Sequence, residues 1–226
     1  MSSVACTVLV VAKAPVAGLA KTRLAATVGK EAAAAFAAAA LLDTLDAVRR
    51  VDVAARVVAM TGDLGHAHRA DELVAVLADF VVLPQRGDGL DQRLVAAHAD
   101  AGAVAAGPVL QIGMDTPQVT ADLLLASTQC LAGPGVDAVF GPATDGGWWA
   151  LGLSDPGRAS FLEGIPMSRP DTGARTRAGL LRTVDTVRDL PRLTDVDTED
   201  DLWPVAHLQS PERHFRRAVE AHRAAR

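Results

Sequence analysis

Asp115 stands near the end of Val109-Leu110-Gln111-Ile112-Gly113-Met114-Asp115-Thr116-Pro117, an apolar run that stops at Gly113 and cannot continue as a ladder past Pro117. A carboxylate beyond the carboxyl end of a buried strand lies at the crevice where open α/β sheets bind ligands, and there it can hold a divalent cation. The structural alternative is a strand-end acid that caps the helix beginning near Thr120. Lys13, Lys21 and Arg23 surround Gly18 in the loop that follows the first apolar run. Backbone N–H groups and cations in such a loop suit phosphate oxygens, the alternative being a solvated basic loop. It is neither a Walker A loop nor a dinucleotide-binding glycine fingerprint. Asp145-Gly146-Gly147, between two apolar runs, reads as a turn whose glycines also let a ligand approach the backbone. Alternation sends one ring of the pair Trp148-Trp149 into the core and leaves the other free to stack on a base or sugar.

Strands and helices must position these groups. Val8-Leu9-Val10-Val11, inside the apolar run 4–12, is β-branched and unbroken, as expected for a strand covered on both faces. An Ala-rich helix over about 30–50 follows, with Phe36, Leu41, Leu45 and Val48 at roughly helical spacing. Further strands at 53–60, 80–83 and 109–112 alternate with helices at 67–78, 90–105 and 123–131. That alternation implies an α/β fold, a three-layer, doubly wound and mostly parallel sheet with right-handed crossovers. Beyond Gly133-Pro134-Gly135 the rhythm changes. Segments 138–142 and 148–153 read as extended, 158–176 as a polar, mobile loop on the acceptor side, and 184–190 as a short strand. Asp197 or Thr198 caps a helix with acids in its first turn, and 211–226 is a basic helix or a frayed end.

With 226 residues, half of them hydrophobic, one domain with a sizeable core is expected. A net charge of -5 argues against a general nucleic-acid binder, whose affinity depends on concentrated Lys and Arg. Cys6 and Cys130 lie far apart without metal-ligand spacing, which suits a reducing cytosol, so a cytoplasmic protein is expected. The run 4–12 is too short to span a bilayer and has no basic segment before it, so no membrane span is expected. His66 and His68 are two apart and do not share a helix face, and the other histidines lack partners at ligand spacing. Thr116 and Ser168 have no base at any nucleophile motif spacing.

Taken together, Lys13-Ala14-Pro15, Gly18, Lys21-Thr22-Arg23-Leu24, Gly113-Met114-Asp115-Thr116-Pro117, the segment 141–147 and Asp195-Val196-Asp197-Thr198 resemble the bacterial glycosyltransferase-A-like transferases. These belong to the nucleotide-diphospho-sugar transferase superfamily, whose nearer characterised neighbours include the phospholactate guanylyltransferases. The resemblance runs from about Val8 to Leu202 and implies a single glycosyltransferase-A-like domain over 1–226. Within it, 1–134 would be the nucleotide-binding half, 135–208 the acceptor-side half and 209–226 a C-terminal helix or tail. It implies nucleotide contacts from Lys13, Pro15, Gly18, Lys21, Thr22, Arg23, Gln85 and Gly87. Asp115 and Asp197 correspond to the metal-binding acids, for Mg²⁺ or Mn²⁺, and Gly146, Gly147 and Trp148 to the acceptor-side loop. The chain departs from the pattern at Asp91, where relatives usually have glycine, and at Pro166-Met167-Ser168, where they carry a tryptophan-bearing segment.

On this reading Lys21, Arg23, Asp115 and Asp145 are the catalytic candidates, with Asp145 ranked as metal support above general base. The expected partners are a nucleotide or nucleotide-sugar donor and a small-molecule acceptor, with homodimerisation left open. Nucleotidyl transfer from a nucleoside triphosphate ranks first, because a basic first loop with one Asp ahead of a proline resembles that branch. Glycosyl transfer from a nucleoside-diphosphate sugar is the alternative, and a nucleotide-binding regulator without turnover is the third.

Overall fold

The computed structural model describes residues 3–225, so Met1, Ser2 and Arg226, the extreme ends of the expected domain and tail, lie outside it. The strands are β1 (Val4–Lys13), β2 (Val53–Thr61), β3 (Val81–Pro84), β4 (Val109–Gly113), β5 (Ala138–Pro142), β6 (Trp148–Leu153) and β7 (Val187–Asp189). They form one seven-stranded sheet in the order β3-β2-β1-β4-β6-β5-β7. Only β6 runs against the rest, pairing antiparallel with both β4 and β5. The expected α/β, mostly parallel, doubly wound architecture is therefore the observed one.

Alternation along the strands assigns the layers. Val8, Val10 and Ala12 of β1 face α2 (Lys30–Arg49), α3 (Ala70–Leu77) and α5 (Ala121–Leu131). Leu9, on the opposite face, packs with Ala97 and Ala101 of α4 (Leu90–Val104). On that same side Leu151 and Leu153 of β6 meet Leu162 and Leu180, the latter on α6 (Thr172–Thr183). The long helix α2 is buried nearly all round, because α1 (Thr22–Val28), α7 (Glu199–His207) and α8 (His214–Ala224) cover its outer face. Asp43 on α2 is 1% exposed and accepts hydrogen bonds from the backbone N–H of His214 (3.0 Å) and Phe215 (2.8 Å). The basic C-terminal segment is thus a docked helix through Ala224, not a frayed end.

Several boundaries differ from the sequence expectation. The helix expected over 67–78 is Ala70–Leu77, preceded by a 3-10 turn at Leu64–His66 that the Asp63 side chain caps. The strand expected over 184–190 contracts to Val187–Asp189. The largest correction is 158–176, expected to be a mobile polar loop. It begins within 3-10 turns over Pro156–Leu162 and ends inside α6. Phe161, Leu162, Ile165 and Met167 anchor it to the cluster under β6, apolar contacts that its polar composition concealed.

Candidate active site

Because β1, β4, β5 and β7 point the same way, their carboxyl-end loops open at one edge of the sheet. A cleft of about 570 Å³ lies there. Two backbone hydrogen bonds and one from a side chain pull distant loops together around it. The N–H of Val196 donates to the Asp115 carbonyl (2.9 Å), and that of Thr144 to the Leu193 carbonyl (3.0 Å). The Gln118 side chain also donates to the Thr194 carbonyl (2.6 Å). The segment after β7 is thereby stitched between the loops after β4 and β5.

Lys21 sits at the centre of the resulting charge arrangement. Its Nζ lies 2.9 Å from Asp115 Oδ1 and 2.8 Å from Asp197 Oδ1, with only 10% of the side chain exposed. Burial opposes its charge, but the Asp115 and Asp197 carboxylates outweigh it, so the ammonium is held above its usual pKa. Its backbone is left-handed (φ 49°), a conformation costing a non-glycine residue about 1 kcal/mol, and the ion pairs hold the side chain inward from it. Arg23 is more exposed and stands 3.5 Å from Asp197 Oδ2. Burial works against ionisation of Asp197, yet Lys21 and then Arg23 bring its pKa below the ordinary value.

A second acidic feature was not singled out from the sequence. Asp145, Asp195 and Asp197 each offer a carboxylate oxygen, all within 4.8 Å of one another. Asp195 Oδ1 is buried without a hydrogen-bond partner among the described residues. Burial, then the neighbouring Asp145 and Asp197, push the Asp195 carboxyl up to about 6. The sequence carried a partial signal, since Asp195 and Asp197 are two apart and flank Val196, which is buried. These acids have more oxygen ligands than nearby cations to satisfy them, which is the donor set a hard divalent ion takes.

Lys13, Lys21, Thr22, Arg23, Asp115, Asp145, Gly147, Trp148 and Asp197 all line the cleft. Five other expected site residues do not, and the structure gives them different work. Pro15 is buried, its carbonyl accepting from the His68 N–H (2.9 Å). Gly18 turns the first loop at φ 77°. Gln85 donates to the carbonyls of Ala12 (2.8 Å) and Ala59 (2.9 Å), bracing strand ends. The Gly87 carbonyl accepts from the Arg93 guanidinium (3.0 Å). Gly146 packs against Pro170, with no room for a side chain between them. Both tryptophans border the cleft: Trp149 is the core ring, 2% exposed, and the partly buried Trp148 donates from Nε1 to Thr176 Oγ1 (3.2 Å). Asp91 accepts from the Gly164 N–H (2.9 Å), tying the start of α4 to the segment before α6. Gln111, Leu94, Met167 and Arg169 also line the walls, and none of them was an expected site residue.

Comparison with known proteins supplies the context. The family described as an uncharacterized protein conserved in bacteria (DUF2064) matches residues 44–169. No curated protein matches the sequence. A Desulfovibrio desulfuricans G20 protein, titled a candidate nucleotide-diphospho-sugar transferase, superposes with a TM-score of 0.82 at 25% identity, over 99% of this chain and 96% of its own. The 4-diphosphocytidyl-2C-methyl-D-erythritol synthase of Anaerococcus prevotii DSM 20548 shares the fold at TM-score 0.59 and 13% identity, over 91% and 96% of the two chains. Rv0371c of Mycobacterium tuberculosis H37Rv, crystallised with manganese, does so at 0.53 and 19%, over 89% and 97%. The fold is that of the nucleotide-diphospho-sugar transferases and cytidylyltransferases.

Proposed function

The chain belongs to the bacterial family DUF2064, and from that premise we propose that it is a metal-dependent, nucleotide-using transferase. In the reading best supported, it moves a nucleotidyl group from a nucleoside triphosphate to a small phosphorylated or hydroxylated acceptor and releases pyrophosphate. One observation carries this: Lys21, at the end of the first loop, and Arg23, in the first turn of α1, share a single cleft beyond the strand ends with Asp115, Asp145, Asp195 and Asp197. Cations alone would suit any anion, and acids alone any cation. Both together suit a polyphosphate that arrives with its own metal.

The residues fit such an ion, since Asp145, Asp195 and Asp197 can converge on it and the buried Asp195 Oδ1 otherwise has no partner. Asp115 is the further candidate ligand that the resemblance implies. When bound, Mg²⁺ or Mn²⁺ would neutralise phosphate charge and orient the leaving group. A structural neighbour's manganese supports keeping both ions as candidates. Lys13, Lys21 and Arg23 would hold the β- and γ-phosphates. The acceptor oxygen attacks the α-phosphorus, the bond from α-phosphorus to the bridging oxygen breaks, and pyrophosphate leaves with the electron pair, its charge met by these cations. Asp145 acts as metal support in this scheme. The resemblance to phospholactate guanylyltransferases is the finer form of the same reading.

Glycosyl transfer from a nucleoside-diphosphate sugar is the second reading, favoured by the name of the Desulfovibrio desulfuricans protein. Incubating the protein with the four nucleoside triphosphates and a set of nucleoside-diphosphate sugars, plus Mg²⁺ or Mn²⁺ and pooled small acceptors, separates the two. Pyrophosphate release supports nucleotidyl transfer, and acceptor-dependent nucleoside diphosphate release supports glycosyl transfer. Nucleotide binding without either product removes both in favour of a binding protein, and no nucleotide binding removes all three.

A further inference from the structure

Among the described residues two cations that line the cleft, Lys13 and Arg169, have no ion pair, and Lys13 stands at the end of β1 beside the loop that carries Lys21. Arg169 lines the cleft from the segment before α6, and among the described residues its guanidinium makes no hydrogen bond or ion pair. The nearest acid in sequence, Asp171, is held by Arg175 (Nε to Oδ2, 2.6 Å) and feels Arg169 only through space. Asp171 does not line the cleft, and the acids that do lie on the loops after β4, β5 and β7.

The loop that carries Arg169 is fixed by backbone packing. Ser168 is left-handed (φ 58°), and the Arg169 N–H donates to Thr172 Oγ1 (3.0 Å), which in turn donates to the Pro166 carbonyl (2.8 Å). The Gly173 N–H donates to the Gly146 carbonyl (2.8 Å). A Cβ on Gly146 would fall 1.9 Å from the Pro170 carbonyl oxygen, and one on Gly173 would fall 2.4 Å from that of Gly147. The Arg169 loop and the Asp145 turn are therefore one rigid unit, with no side chain between them.

We infer that Arg169 is the acceptor-side anion clamp and that the acceptor carries a carboxylate or phosphate group seated on it. This rests on the transferase reading above and adds the charge class of the second substrate. With phosphates on Lys21 and Arg23, the crowded carboxylates would repel an anionic acceptor unless a dedicated cation met it. The planar fork of an arginine matches either oxyanion in two-point fashion. Trp148 and Met167, which also line the cleft, offer apolar surface to the acceptor's carbon skeleton.

The test uses three probes on one skeleton: glycerol, glycerate and glycerol 3-phosphate. Each is titrated by protein-observed NMR into the full chain, already loaded with Mn²⁺-free Mg²⁺ and each of the four α,β-methylene nucleoside triphosphates in turn. Glycerate or glycerol 3-phosphate should bind where glycerol does not, perturbing residues around Arg169, and whichever binds identifies carboxylate or phosphate as the source. Arg169→Gln should weaken that binding by about tenfold or more, with Arg169→Lys partly restoring it. Equal binding of all three probes, or no effect of Arg169→Gln, overturns the clamp while nucleotide binding stands. If Arg169→Gln instead weakens the nucleotide by a similar factor, Arg169 serves the donor and the assignment is wrong. Failure of every nucleotide to bind the unaltered protein removes the transferase reading itself, and the clamp with it.

Discussion

The Lys21 ammonium and the Asp197 carboxylate meet at 2.8 Å across 176 positions of sequence, and the same nitrogen reaches Asp115 at 2.9 Å. On the proposed reading, a lysine so placed would compete with a metal that used either acid, and would be freed to hold phosphate once the metal replaced it.

Substituting Lys21→Met tests that competition. Two partly buried acids lose their cation, so the metal-free protein should lose about 1–3 kcal/mol. Mn²⁺ alone should bind the variant more tightly than the parent, and nucleotide less tightly. Thermal unfolding with and without Mn²⁺, combined with calorimetric titration, reads both effects. Weaker Mn²⁺ binding in the variant would show that the lysine helps to assemble the metal site.

Asp195→Asn probes the acidic cluster from its most crowded member. It removes the carboxylate that Asp145 and Asp197 repel, so the metal-free fold should be unchanged or slightly more stable at pH 7. Mn²⁺ affinity should fall by about tenfold or more as one charged oxygen ligand is lost. Electron paramagnetic resonance of free Mn²⁺ measures this directly. Unaltered affinity would exclude Asp195 from the ion's ligands.

Gly146→Ala should disrupt the turn that carries Asp145, because φ is +90° and the new Cβ would sit 1.9 Å from the Pro170 carbonyl oxygen. The expected cost is about 2–4 kcal/mol, strain and clash together. Gly164→Ala is the comparison, since φ is +78° there but nothing lies within 4 Å of the Cβ. It should cost only about 1 kcal/mol, the strain alone. Urea unfolding of the two variants compares them, and equal losses would mean the Pro170 contact yields easily.

His98→Leu should flatten the acid side of the stability profile. Burial pushes the imidazole down to about 3, and neither ring nitrogen has a hydrogen-bond partner among the described residues. The native state therefore resists a proton that the unfolded chain accepts at about 6.5. The stability at stake is intact above pH 6.5 and is lost progressively as pH falls toward 3. The leucine variant lacks that loss and should gain about 1–2 kcal/mol at pH 7 by removing unpaired buried nitrogens. Denaturant midpoints across pH 4 to 7 decide it; parallel profiles for parent and variant would mean the imidazole is solvated.

The amino-acid sequence by itself determined the alternating strands and helices and the chemistry of the first loop. Apolar periodicity and basic side chains are local properties, readable without knowing what they touch. It also made Asp115 and Asp197 candidates, through strand-end position and resemblance. Tertiary structure alone decided that these acids share Lys21, because the Val196-to-Asp115 backbone bond and parallel strand direction bring their loops to one edge. It also moved Gln85 from the expected nucleotide site to a brace between strand ends, brought Asp195 into the acidic cluster and turned Arg169 into the cleft. Those outcomes depend on which loops pack together, and the chemistry of a side chain does not encode its neighbours across a fold.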